Sequence, residues 1–219
     1  MKVSAVIPTI NEEKSIGNVI DGLKCIDGIE IIVVDTNSTD KTREIAASKG
    51  ARVIEEHRKG YGRAYKTGIK AASGDIIVCL DGDNTYPTDI IKPLIDILIL
   101  DKVNFISCDR MTLRTQHSYT SLHFIGNLVL NFTLAVLFKF HLNDSQSGMW
   151  IFYKSFYNKM NNLSDYMAFS EDIKIEALKH GKLIEVPILY GQRITKPKLK
   201  TWRDGFKNLF HLIIKRIQN

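Results

Sequence analysis

Apolar runs and polar turns alternate regularly through the first half of the chain. Lys2-Val-Ser-Ala-Val-Ile-Pro8 reads as a strand that ends at a proline. Asn11 stands where it can cap a helix, with Glu12 and Glu13 placed to favour the dipole; Ile16, Val19, Ile20 and Leu23 follow at helical spacing. Ile31-Ile-Val-Val-Asp35 is a second buried strand. Ser38-Thr-Asp40 then opens a second helix, which Gly50 ends. Ala51 to Glu55 is a short third strand, and Tyr61 to Ala72 a helix rich in small residues. Ile76-Ile-Val-Cys-Leu80 is a fourth strand that runs directly into Asp81-Gly-Asp83. A helix from Thr88 puts Ile91, Leu94, Ile95 and Leu98 on one face, and Val103 to Cys108 is a fifth strand. This alternation predicts an α/β fold with a mostly parallel central sheet and helices on both faces.

The second half is less regular. Thr115 to Phe138 carries no Asp, Glu, Lys or Arg, but His123, Asn127 and Asn131 form a polar stripe at i, i+4 steps. That stripe favours an amphipathic helix against the sheet or a membrane interface over a lipid-facing span. Met149 to Tyr153 and Leu183 to Pro187 read as strands, and Ser170-Glu-Asp172 opens a helix ended by Gly181. From Thr201, Trp202, Phe206, Leu209, Phe210, Ile213 and Ile217 form an apolar stripe beside a row of Arg203, Lys207, His211 and Lys215. Such a helix suits an anionic membrane surface; the competing reading docks it on its own domain with the basic face in water. The expected organisation is a catalytic domain over residues 1–200 and a basic amphipathic helix over 201–219.

At 219 residues with 44% hydrophobic and 25% charged content, the chain has the composition of one globular domain. Cys25, Cys79 and Cys108 lack metal-ligand spacing and point to a reducing compartment. Met1-Lys-Val-Ser leads straight into a strand, so no signal peptide is expected. The net charge of +6 is concentrated after Gln192, where Asp204 is the one acid among many Lys and Arg. The spacing of those residues favours an anionic substrate or a membrane surface over nucleic acid.

Three strand ends carry polar clusters: Pro8-Thr-Ile-Asn-Glu12, Asp35-Thr-Asn-Ser38 and Asp81-Gly-Asp83. Ligands of open α/β sheets bind beyond the carboxyl ends of the strands, so the three together suit a nucleotide. Asp81 and Asp83 can hold a hard divalent cation, which in turn can hold a diphosphate. An acidic turn with solvated carboxylates is the bland alternative; the preceding apolar strand argues against it. There is no Gly-rich dinucleotide fingerprint and no P-loop.

With these pieces in order, the chain resembles the family 2 glycosyltransferases of the GT-A nucleotide-diphospho-sugar transferase fold. It is most similar there to the polyprenyl-phosphate (dolichyl-phosphate) hexosyltransferases. Val6-Ile-Pro-Thr-Ile-Asn-Glu12, Val33-Val-Asp35-Thr-Asn-Ser-Thr-Asp40, and Lys59-Gly-Tyr-Gly62 with Ala71-Ala-Ser-Gly-Asp75 carry the resemblance. So do Asp81-Gly-Asp83, Asp144-Ser-Gln-Ser-Gly148-Met, and Glu185-Val-Pro-Ile followed by Arg193 and Lys198-Leu. The resemblance implies that Pro8, Thr9, Glu12, Asp35, Asn37, Gly82 and Asp144 join Asp81 and Asp83 around a nucleoside-diphosphate sugar. Mg2+ or Mn2+ would sit on Asp81 and Asp83. Arg110, Ser147, Arg193 and Lys198 would face the phosphate of a polyprenyl phosphate, with the protein peripheral on the cytoplasmic face of the membrane. Inversion at the sugar carbon is implied as well. Thr85 departs from the pattern, standing where lipid-phosphate members often have a glutamine at the metal, and Met149 stands where an aromatic residue is usual.

A lipid phosphate is already a nucleophile at neutral pH and needs no general base. A saccharide or glycolipid hydroxyl would need one, and Asp172 is then the candidate, against a plain helix N-terminal charge. A third expectation, a non-catalytic nucleotide-sugar-binding module, is disfavoured by the retention of both Asp81 and Asp83.

Overall fold

The computed structural model describes residues 1–113, 121–193 and 201–218, and the side chains of all but 121–123 and 201–204 among these. The elements run β1 (Val3–Thr9), α1 (Ile16–Leu23), β2 (Glu30–Asp35), α2 (Thr42–Ser48), β3 (Arg52–Glu55), α3 (Tyr61–Ala71), β4 (Ile76–Cys79) and α4 (Ile91–Leu100). The second half adds β5 (Phe105–Asp109), α5 (Ser121–Phe138), β6 (Trp150–Tyr153), α6 (Lys154–Tyr157), α7 (Phe169–His180), β7 (Leu183–Pro187) and α8 (Thr201–Gln218). Each strand expected from the sequence is present, and the one-turn helix α6 is the addition.

The strands form one sheet in the order β3-β2-β1-β4-β6-β5-β7. All neighbours are parallel except β6, which runs antiparallel to both β4 and β5. Side-chain alternation divides the strands between two cores. Ala5, Ile7, Val33, Ile76 and Val78 face α1, α2 and α4, whose Ile16, Ile20, Ala46, Leu94 and Leu98 are buried against them. Val6, Ile32, Val34, Ile77 and Cys79 face α3 and α7, with Tyr65, Ile69, Phe169 and Ile173. Each such aliphatic side chain removed from water contributes roughly 1.5–3 kcal/mol. Burial on both faces is why the strands read as continuous apolar runs.

The chain moves outward from β1 to β2 and β3, then returns to pair β4 with the other side of β1. That reversal leaves a crevice at the carboxyl ends of β1 and β4, where an open α/β sheet takes its ligands. The turns after β1, β2 and β4 all open there.

Asn11 does not cap α1, which starts at Ile16 with Ser15 before it. Asn11 adopts φ 51° and bridges the turns after β1 and β2: its Oδ1 accepts from Thr39 N–H at 2.8 Å, and its own N–H donates to Ser38 Oγ at 2.8 Å. The polar stripe of α5 faces the protein as expected. Asn131 Nδ2 donates to Asn143 O at 2.5 Å and its Oδ1 accepts from Ser145 N–H at 2.9 Å. The side chain of His123 lies outside the described residues. No described helix is long and apolar enough to cross a membrane.

α8 docks on the domain, with the opposite face inward to the one its basic row suggested. Asn208, Leu212 and Lys215 are buried. His211 Nε2 lies 2.9 Å and Lys215 Nζ 3.0 Å from Asp172 Oδ1. Lys215 therefore pairs with acids of α7 and His211 meets Asp172, while Phe206, Phe210, Ile213 and Ile217 stay exposed.

Candidate active site

β1 and β2 are in register, so Thr9 sits beside Asp35. Thr9 Oγ1 donates to Asp35 Oδ2 at 3.0 Å. Ser38 closes the turn after β2 by donating its N–H to Asp35 Oδ1 at 2.9 Å. Asp35 is fully buried, with the Arg43 guanidinium 3.9 Å away, and its carboxylate braces both turns. Asn37, exposed at φ 56°, is held by His57 through Nδ2–H donation to the His57 carbonyl at 3.1 Å. Pro8 is the penultimate residue of β1, beside Val34. Glu12 is buried next to Ser15, whose hydroxyl lies 2.8 Å from the Gly82 carbonyl.

Asp81, Gly82 and Asp83 follow β4 at the crevice. Tyr61 Oη donates to Asp81 Oδ1 at 2.9 Å and Tyr65 Oη lies 3.3 Å from the same oxygen. Burial, then the neighbouring Asp83 carboxylate, pushes the Asp81 pKa up to about 6. Asp83 is buried; its Oδ1 accepts from Thr85 N–H at 3.1 Å and Thr85 Oγ1 at 2.6 Å. Thr85 thus braces Asp83. Arg193 Nη2 lies 2.9 Å from Asp83 Oδ2 and 3.7 Å from Glu12 Oε1.

Two adjacent carboxylates that repel one another suit Mg2+ or Mn2+, which favour hard oxygen donors. Among the described residues no third His, Cys, Asp or Glu joins them in a metal-ligating group. The pair fits an ion that is completed by phosphate and water rather than by an all-protein cage.

The loop between α5 and β6 is pinned from several elements. Glu185 on β7 accepts from the N–H groups of Asn143 (2.6 Å) and Asp144 (3.0 Å). Lys174 on α7, fully buried, donates Nζ–H to the carbonyls of Asp144 (2.7 Å) and Ser147 (3.1 Å). Gly148 N–H donates to Tyr86 Oη at 2.7 Å. A Cβ on Gly148 would collide with the Tyr61 hydroxyl and press on the Asp81 carboxylate, so only glycine lets the loop approach the acid this closely.

Asp144 does not stand open toward a sugar. It grips Arg110 through Nε at 2.7 Å, Nη2 at 2.9 Å and the backbone N–H at 3.0 Å. Burial pushes the Asp144 carboxyl up, but Arg110 more than offsets this and leaves it below the usual range. Arg110 is oriented by Asp144 and lies 5.3 Å from the Tyr190 ring centroid. Ser147 is buried, with its hydroxyl turned to Met149 N–H within its own loop at 3.4 Å.

Asp172 is fully buried, accepts from Ser164 N–H at 2.8 Å, and is paired to His211 and Lys215. Its partners make it an anchor of α8. Lys198 lies outside the described residues.

Tyr61, Tyr65, Tyr86 and Lys174 were not singled out from the sequence. Tyr61 and Tyr65 stand one helical turn apart, a spacing equally expected of core aromatics. Lys174 sits among Glu171, Asp172 and Glu176 and reads as part of a solvated face.

Comparison with known proteins agrees with this geometry. Residues 4–160 match the family described as Glycosyl transferase family 2. The low-salt glycan biosynthesis hexosyltransferase Agl6 of Haloferax volcanii is 32% identical over 97% of this chain, but over 53% of its own length, so the chain spans about half of that relative. The dolichyl-phosphate hexose transferase of the same organism is 31% identical over 93% of this chain and 89% of its own. Among solved structures, glucosyl-3-phosphoglycerate synthase from Mycobacterium tuberculosis, in complex with Mn2+, UDP and phosphoglyceric acid, has a TM-score of 0.80 at 23% identity, covering 98% of this chain and 78% of that one. At that identity the likeness speaks to the fold, which is GT-A. The sheet reversal, the Asp81-Gly-Asp83 turn at its crevice and the match over residues 4–160 converge on one assignment: the chain belongs to glycosyl transferase family 2.

Proposed function

We propose that this glycosyltransferase moves a hexose from a nucleoside-diphosphate sugar to a polyprenyl phosphate at a membrane surface, with inversion in a single in-line displacement. The observation that carries the reading is the meeting of two kinds of group at one crevice. Asp81 and Asp83 form an acidic pair suited to a cation, and Arg193 approaches that pair from the segment after β7. The likeness to a protein named dolichyl-phosphate hexose transferase over 93% of the chain supports the acceptor class.

A divalent ion on Asp81 and Asp83 would act as a Lewis acid on the departing diphosphate. Glu12 and the turns held by Asp35 and Asn37 would receive the nucleoside by accepting from base or ribose donors. Arg110, held in a fixed plane by Asp144, would present its remaining N–H groups to phosphate oxygens, for which a guanidinium is better shaped than an ammonium. A phosphate monoester loses its second proton near pH 6. Positioning by arginine can then replace a general base, in keeping with an Asp172 already paired to α8.

Peripheral membrane contact is supported by the outward faces of α5 and α8. Phe132 and Val136 of the first, and Phe206, Phe210 and Ile217 of the second, are exposed, with Lys207 and Arg216 beside the latter. An apolar face edged by lysine and arginine suits an anionic interface.

The test is nucleotide release from UDP-glucose, UDP-N-acetylglucosamine and GDP-mannose, with Mg2+ or Mn2+, with and without a short polyprenyl phosphate. Release that requires the lipid phosphate is expected for one donor. Release that needs a saccharide instead would overturn the acceptor assignment. Metal-independent donor binding without turnover would leave a binding module.

A further inference from the structure

The segment after β7 folds back across the crevice instead of leaving the sheet edge. Ile188 N–H donates to the Asp109 carbonyl at 2.9 Å and Gly191 N–H to the Thr85 carbonyl at 2.8 Å. The Tyr190 ring meets Tyr86 nearly edge-on, with centroids 5.1 Å apart. This strap delivers Arg193 to Asp83 Oδ2 at 2.9 Å, on the side opposite the Thr85 hydroxyl. Both oxygens of Asp83 are thereby engaged, and its 1% exposure leaves no route for water to neutralise it.

Two features make the Arg193 contact exchangeable. It is one-pronged, through Nη2 alone, whereas Arg110 grips Asp144 through both Nε and Nη2. Its side chain is 31% exposed, so moving outward requires little desolvation. Its Nε is buried without a hydrogen-bond partner, a donor that the Asp83 contact leaves unused. A metal ion on Asp83 Oδ2 would stand within a few ångströms of a guanidinium of like charge.

We infer that Arg193 and the divalent cation are mutually exclusive partners of Asp83: the guanidinium fills the cation's place in the idle site, and entry of the metal with the donor frees Arg193 for a phosphate. The inference rests on the assignment of Asp81 and Asp83 as the metal site. It imposes an order, because the phosphate-binding arginine becomes available only after the donor and metal are seated. The empty enzyme then does not hold the acceptor in line with nothing to transfer.

The test is Mn2+ binding to the donor-free protein, read from loss of the free-ion electron paramagnetic resonance signal. Wild type, Arg193→Gln, Arg193→Lys, Asp83→Ala and Lys92→Gln are compared. Lys92 is exposed on α4 and controls for the change in net charge. Arg193→Gln is expected to bind Mn2+ at least tenfold more tightly than wild type. Arg193→Lys, which keeps a cation on an intact strap, should stay close to wild type, as should Lys92→Gln. If Arg193→Gln binds no more tightly than wild type while Asp83→Ala binds less, the competition is refuted and the metal site stands. If Asp83→Ala binds Mn2+ as well as wild type does, the metal site and the competition fall together.

Discussion

Replacing Arg110 by methionine keeps an apolar stem of similar length and removes the guanidinium. In the native protein Asp144 is fully buried and accepts three bonds from Arg110, at 2.7, 2.9 and 3.0 Å, the last from its backbone. The variant leaves the carboxylate with two backbone donors, the N–H of residue 110 and Gln146 N–H at 3.2 Å. Stranding one partner of a buried pair costs about 3–5 kcal/mol, a large part of the 5–15 kcal/mol typical of a whole domain. Asp144→Asn in the same background removes the stranded charge and keeps an acceptor for those donors. The double variant should therefore lose at least about 2 kcal/mol less than the sum of the two singles. The sign with pH follows from the lowered Asp144 pKa. Stability from this pair is present above the unfolded carboxyl value, about 4, and is lost as pH falls through the folded one. The gap between wild type and Arg110→Met should then narrow below about pH 4. Urea unfolding followed by fluorescence of the buried Trp150 provides the measurement. A loss under about 1 kcal/mol for Arg110→Met, or strict additivity in the double variant, would refute the clamp.

Three further expectations follow from the site and its supports. Tyr61→Phe keeps the ring and removes a donor to Asp81, so Mn2+ affinity should fall about tenfold with an unchanged melting temperature; unchanged affinity would remove the phenol from any role at the metal. Burial pushes the Lys174 pKa down to about 8, so between there and 10.5 the unfolded chain holds a proton that the native one has released. Native stability therefore rises with pH through that window, and wild type should gain about 2–3 kcal/mol on Lys174→Met between pH 7.5 and 10; parallel curves would contradict it. Phe206→Ser with Phe210→Ser should weaken sedimentation with anionic vesicles at least tenfold without lowering the melting temperature, and equal partitioning would dissociate α8 from the membrane.

The sheet was legible because its strands are buried on both faces, so that Ile31 to Val34 and Ile76 to Leu80 read as uninterrupted apolar runs. The acidic turn was legible because it interrupts such a run abruptly. The bounds of α7 were legible from Ser170-Glu-Asp172 and Gly181 but its burial was not, since Phe169 to Ala177 is buried throughout although four of those residues are ionisable. Periodicity cannot separate a solvated face from one that meets partners of opposite charge. The same acids explain α8: Asp172 and Glu176 draw Lys215 inward and leave the aromatic stripe outside. Arg193 was expected at a phosphate and here lies on Asp83, because spacing along the chain does not reveal which anions an arginine faces in the fold.

The most direct measurement of the central claim is the product itself. Wild type and Asp83→Ala would be incubated with radiolabelled nucleoside-diphosphate hexose and a short polyprenyl phosphate, with Mn2+ or with chelator. Wild type with metal should yield a lipid-linked glycosyl phosphate of inverted anomeric configuration, and neither control should. The same product in the presence of chelator, or from Asp83→Ala at the wild-type rate, would contradict it.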